Sequence, residues 1–212
     1  MGYTANILNG TCIRGRFRCP RMLCLFFVCI CLLGRGEVCN AQQSTCLERL
    51  KASGAIHAVQ PSDEKLDRLN VGNASFSCDL YVQASAAKDA LEDFRAGLPK
   101  ADKALMDKVL LYPVRVIIDD PATGQTKQTL TVKNYSDWAT VQSKDLTKEQ
   151  LKLVDCSELG NVTIVGRGSF NPGFIIGDGL VFFSTKNPKH IGVASIHLMQ
   201  ITPEMLNRAC TQ

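Results

Sequence analysis

Between residues 84 and 98 the apolar positions Ala87, Leu91, Phe94 and Leu98 recur at spacings of four, three and four. That is the period of one helical face. Lys88, Asp89, Glu92, Asp93 and Arg95 occupy the opposite face. Gly97 and Pro99 punctuate the helix, and a second is predicted over about 100–111, with Leu105, Met106, Val109 and Leu110 as apolar pairs. Pro113 predicts its end, because the residue before a proline is pushed out of the helical region. The period then drops to two. Val114, Val116 and Ile118 fall on one face of a strand and Arg115 and Ile117 on the other. The run Asp119-Asp120-Pro121-Ala122-Thr123-Gly124 has turn composition, and β-rich Thr126–Val132 is expected to pair back as a hairpin.

Beyond the hairpin, Asn134 is placed to cap a short helix carrying Trp138 and Val141. Thr147 and Gln150 have capping-box spacing ahead of Leu151, Leu153 and Val154. Three strands are predicted at about 161–165, 179–185 and 192–199, separated by turns at Gly177-Asp178-Gly179 and Asn187-Pro188-Lys189. The last strand is expected to carry His197 on the same face as Val193 and Ser195. Thr202 and Pro203 mark the start of a terminal helix. This order predicts an α+β domain over 83–212: a curved antiparallel sheet with N-terminal helices packed on one face. Residues 42–82 are the least regular stretch, with short helices expected near 45–52 and 62–69.

Residues 1–41 read as a leader. Met22–Leu33 is twelve apolar residues without a charge, preceded by Arg14, Arg16, Arg18 and Arg21. It is too short to span a bilayer and suits a secretory signal with a cut between Ala41 and Gln42. The alternatives are an uncleaved N-terminal anchor and a lipid-modified Cys39. Charge follows the same division. The net +4 is carried by five arginines and one acid in 1–41, leaving 19 basic and 19 acidic side chains beyond them. A nucleic-acid partner therefore finds no support in overall charge. Of ten cysteines, six lie in the leader, and Cys46, Cys78, Cys156 and Cys210 remain. An even number in an exported domain reads as two disulfides. Three pairings are open; Cys46 with Cys78 and Cys156 with Cys210 is favoured. No C-x-x-C spacing or neighbouring histidine argues for a metal. A periplasmic or secreted location is expected, with no membrane span after cleavage.

Two stretches carry a resemblance. One is Ala101-Asp102-Lys103 followed by Leu111-Tyr112-Pro113-Val114-Arg115-Val116. The other runs from Gly173 through Gly177-Asp178-Gly179 to Phe183, with Ile191–His197 behind it. Over about residues 84–200 the chain resembles exported bacterial proteins of the nuclear-transport-factor-2-like superfamily. The resemblance implies a cone-shaped α+β fold with a pocket between sheet and helices. It implies nothing specific about activity, since that fold hosts enzymes, binding modules and assembly domains. Leu180 and Phe182 stand where such proteins often carry a Glu and a Trp, which removes one candidate acid.

The candidate chemistry is sparse. His197 is a candidate base or ligand contact if its face lines the cone; the competing reading is a histidine hydrogen-bonded near a strand end. His57 and His190 lie in irregular or turn segments. Asp137 is a second candidate acid, against an acid favoured by the dipole in the first turn of a helix. Tyr112, Tyr135, Trp138, Phe182 and His197 are the expected pocket residues. Gly166-Arg167-Gly168-Ser169-Phe170 lacks the closing glycine of a nucleophile elbow. The glycines from 166 to 179 fit turns and bulges rather than a dinucleotide loop. No cofactor is expected. These features point to an exported, non-enzymatic binding protein of the bacterial envelope, of immunity or inhibitor type, whose partner is an envelope protein or a small ligand. The alternative is a small periplasmic hydrolase or isomerase using His197 or Asp137.

Overall fold

A computed structural model describes residues 46–52, 61–67, 75–166 and 168–211. The expected leader, 1–41, lies outside them, and Ser44–Gln212 forms one compact unit. Two short helices, α1 (Cys46–Ala52) and α2 (Pro61–Asp67), precede a single π-helical turn at Phe76–Leu80. Helices α3 (Ala84–Gly97) and α4 (Lys103–Val109) follow, then strands β1 (Leu110–Asp119) and β2 (Thr126–Val132). Next come α5 (Tyr135–Asp145) and α6 (Lys148–Cys156), then β3 (Thr163–Val165), β4 (Gly173–Ile176), β5 (Val181–Ser184) and β6 (Gly192–Leu198), and last α7 (Pro203–Cys210).

The caps are local chemistry at work. Asp102 accepts the Ala104 and Leu105 N–H groups at the start of α4, and Asn134 accepts that of Asp137 at the start of α5. Thr147 and Gln150 form a complete capping box on α6, and Thr202 caps α7 with Pro203 in its first turn. Each satisfies N–H groups that the first helical turn leaves without intrahelical partners. Gly97 ends α3 where α4 packs back. A Cβ there would sit 2.8 Å from both Leu105 Cβ and Met106 Cε, so the close approach of the two helices needs its absence.

The six strands form one sheet in the order β2-β1-β6-β5-β4-β3. It is α+β, but not the antiparallel sheet expected: β1 and β6, the second and third strands in that order, run parallel. The expectation failed because parallel pairing joins segments distant in sequence, and nothing local announces it. Four strands, not three, follow α6. Gly173–Ile176 pairs on its own with β3 and β5. Gly177–Gly179 is the expected turn, a tight 3₁₀ one with Asp178 at φ 53°, and β5 begins after it at Val181 rather than at about 179. Pro113 does not end a helix either. It lies inside β1, where the β1–β6 register shifts between Leu110 and Arg115 and no ladder donor is required of it.

Register separates the faces. The transverse row Leu130, Val116, Ile196, Val181, Ile176 lies inward, as does the row Val193, Phe183, Phe174, Ile164. The helices cover this face. Phe94 of α3 meets Phe183 edge-on at 5.7 Å, Phe183 stacks on Phe174 at 4.7 Å, and Phe76 meets Phe174 edge-on at 5.5 Å. These four rings are buried with Leu91, Met106, Trp138 and Leu153. Such ring pairs stabilise by roughly 0.5–1.5 kcal/mol beyond their burial. The opposite face carries the row Thr131, Arg115, Ser195, Phe182, Ile175, Thr163.

Cys156 at the end of α6 is disulfide-bonded to Cys210 at the end of α7, 54 residues on. In the chain-entropy account, closing a loop of that length contributes about 4 kcal/mol. Cys78 is also in a disulfide. The pairing expected for it, with Cys46, involves a side chain outside those described. Among the described residues no helix is long and apolar enough to cross a membrane.

Candidate functional site

His197 is not on the face of Val193. Phe182 pairs with Ser195 while Phe183 pairs with Val193, so Ala194 is an extra residue, a bulge in β6. One extra residue inverts the alternation beyond it. Val193 therefore points into the core, while Ser195 and His197 share the outer face with Phe182 and Arg115. His197 lies beside Ile117 of β1. Two residues further along that strand, on the same face, is Asp119. Their side chains meet: His197 Nε2 is 2.7 Å from Asp119 Oδ2. The carboxylate side chain is 10% exposed and the imidazole 35%. Thr126 Oγ1 donates to the other carboxylate oxygen at 3.3 Å. An ionised carboxylate only accepts, so Nε2 carries the proton in this contact. In the neutral imidazole, Nδ1 then holds the lone pair.

Asp119 also lines a cleft of about 450 Å³ at the carboxyl ends of β1 and β6. Its walls are the β1–β2 turn, the α5–α6 connection, the first turn of α6 and the segment after β6. Lys127, Lys144, Asp145 and Glu149 stand around it, alongside the apolar side chains of Ile118, Leu198 and Ile201. None of these four charged side chains forms an ion pair among the described residues. Gln150 ties two walls together. Its Oε1 accepts the Thr147 N–H at 2.9 Å, and its Nε2 donates to the Met199 carbonyl at 2.8 Å.

The other expected site residues are placed elsewhere. Asp137 accepts the Lys133 N–H at 2.9 Å and donates its own N–H to Asn134 at 3.1 Å, which is a capping role at the start of α5. Tyr112 and Tyr135 are half-buried against the core. The Tyr112 hydroxyl donates to Asp107 at 3.4 Å, and Tyr135 donates to the Ala101 carbonyl with Lys103 5.6 Å above its ring. Burial, then the neighbouring Asp107 carboxylate, pushes the Tyr112 phenol well above its ordinary value. Trp138 is fully buried in the core. Phe182 lies on the opposite face of the sheet, its ring over Gly173. The five expected pocket residues therefore divide between the two faces of the sheet. The bulge and the parallel pairing, both silent in the sequence, are the reason.

The residue that sequence reasoning missed is Asp119. Turn composition accounted for it completely, and its partner lies 78 positions away. Among the described residues no group of three or more His, Cys, Asp or Glu side chains is placed to hold a metal ion. Comparison with protein-family models, with curated proteins and with solved structures gives no match.

Proposed function

We propose that the chain is an exported binding protein of the bacterial envelope, of immunity or inhibitor type, that holds its partner or ligand in the cleft beside Asp119. The observation that carries this reading is the set of four unpaired charges, two of each sign, around a concavity with an apolar floor. Opposite charges left apart at a cleft supply orientation and partner choice, and the apolar floor supplies contact area. Export is supported by the composition of residues 1–41 and by the disulfide between Cys156 and Cys210. The superfamily reading is part of the same proposal. Helices ahead of a hairpin, then short helices, then an antiparallel set, favour it.

The test is native mass spectrometry of the tagged chain isolated from the envelope of its source. A second mass that is lost in the Lys127→Glu/Lys144→Glu variant supports the reading and identifies the partner. A chain that carries no added mass, and binds neither envelope proteins nor small zwitterions and peptides, overturns it.

A second reading, a hydrolase or isomerase, is favoured by one contact. The hold of Asp119 on His197 orients the imidazole and leaves Nδ1 as a base. Turnover that disappears in His197→Ala, with ligand affinity unchanged, would select it.

A further inference from the structure

We propose that the Cys156–Cys210 disulfide is a redox latch on the cleft: reduction releases α7 and, with it, the wall formed by Met199, Gln200 and Ile201. The importance of the latch rests on the cleft being the binding site. The geometry itself does not.

Helix α7 has no fully buried residue. Met205, Leu206 and Ala209 are half-buried against the core, and Arg208 reaches Asp178 at 2.6 Å in an exposed ion pair. An eight-residue helix is too short to persist alone in water. An exposed pair adds little to hold it. The covalent bond is therefore the strongest tie between α7 and the rest of the molecule. Its position matters as much as its strength. Helix α6 begins at the cleft with Glu149 and Gln150 and ends at Cys156. Helix α7 follows the other wall, residues 199–201, and ends at Cys210. The disulfide joins the far ends of the two elements whose near ends face each other across the cleft. At the near ends one hydrogen bond, from Gln150 to the Met199 carbonyl, spans the two walls, and Met199 and Ile201 are only partly buried against the core.

Cys210 is exposed, so a thiolate can reach it. The reductant is a dithiol. Its first thiolate attacks a sulfur of the bridge, forming a mixed disulfide and expelling the other cysteine as a thiolate that takes up a proton. Its second thiol then displaces the remaining cysteine. The dithiol leaves as a disulfide, and Cys156 and Cys210 have gained two electrons and two protons as two thiols.

The experiment is hydrogen exchange read by mass spectrometry on the full chain and on its Cys156→Ser/Cys210→Ser variant, which leaves the bridge at Cys78 in place. The expected result is exchange at least tenfold faster over 199–210, with protection of β4 and β5 unchanged. Unchanged protection over 199–210 overturns the proposal. Should the variant lose protection in β4 and β5 as well, the wild-type chain is titrated with dithiothreitol, and alkylation of Cys156 and Cys210 is followed alongside exchange. Loss confined to 199–210 as those two thiols appear supports the latch. Simultaneous loss in β4 and β5 makes the bridge a global staple and overturns it. Neither readout needs a ligand, so a cleft that binds nothing would leave the result intact, and a failed latch would leave the binding reading untouched.

Discussion

At the scale of single residues, the contact between His197 and Asp119 joins two strands through a carboxylate that is nearly out of solvent. Replacing His197 by Ala leaves that carboxylate with the Thr126 hydroxyl as its remaining partner. The expected cost is about 1–2 kcal/mol, because a largely buried acceptor loses a charge-assisted bond. Urea unfolding at neutral pH measures it, and an unchanged midpoint would show the contact to be idle. Tyr112 gives a pH signature. Below pH about 10, the ordinary tyrosine value, the phenol is protonated in both the folded and unfolded chain, and stability does not depend on its ionisation. Above that value the unfolded chain ionises while burial and Asp107 keep the folded one protonated, so stability falls as pH rises. Tyr112→Phe should flatten that alkaline fall in urea midpoints taken between pH about 9 and 12. A fall of the same steepness in the variant would assign it to other groups. Neither behaviour was legible in the sequence. His197 could be placed on a strand, but its face depends on Ala194, an ordinary apolar residue that gives no sign of being a bulge.

Among elements, the sequence spoke clearly wherever the interaction spans a few positions. Asn134, the Thr147–Gln150 box and the Thr202–Pro203 start are each set by side chains reaching backbone groups three residues or fewer away, and all three occur where the spacing places them. The helical face of Ala87, Leu91 and Phe94 is likewise buried as its period requires. Strands were harder. Gly173–Ile176 was hidden because its glycine reads as loop, although the glycine is what lets the strand form. A Cβ at Gly173 would overlap the Phe183 carbonyl oxygen and approach the Phe182 ring to 2.7 Å. Gly173→Ala should therefore cost about 3 kcal/mol, since the obstacle is backbone of the neighbouring strand and cannot rotate away. Thermal unfolding tests this, and a variant as stable as the parent would mean that β4 shifts to accommodate the methyl group.

For the molecule as a whole, the helices from Ala84 on and the hairpin were legible because period and turn composition carry them, whereas the cleft was not. It is made by four segments that meet only when β1 and β6 lie side by side, and among the described strands that is the one pairing that joins strands distant in the chain. The same seam governs how the chain finds its structure. The β1–β2 hairpin and the β3–β6 meander each close over short loops and can begin independently. Uniting them brings Asp119 and His197 together across 78 intervening steps of chain, and the entropy of that closure is lost before any contact rewards it. The seam should therefore be the nucleus that limits the rate. Ile196→Val, which removes about 1 kcal/mol at the seam, should slow refolding nearly in proportion, while Leu130→Ala on the outer hairpin strand should chiefly speed unfolding. Stopped-flow refolding of the oxidised chain distinguishes the two, and the reverse pattern would put the hairpin first. Two strands pointing the same way thus set the tempo of folding, and the molecule has no cleft until its slowest event is over.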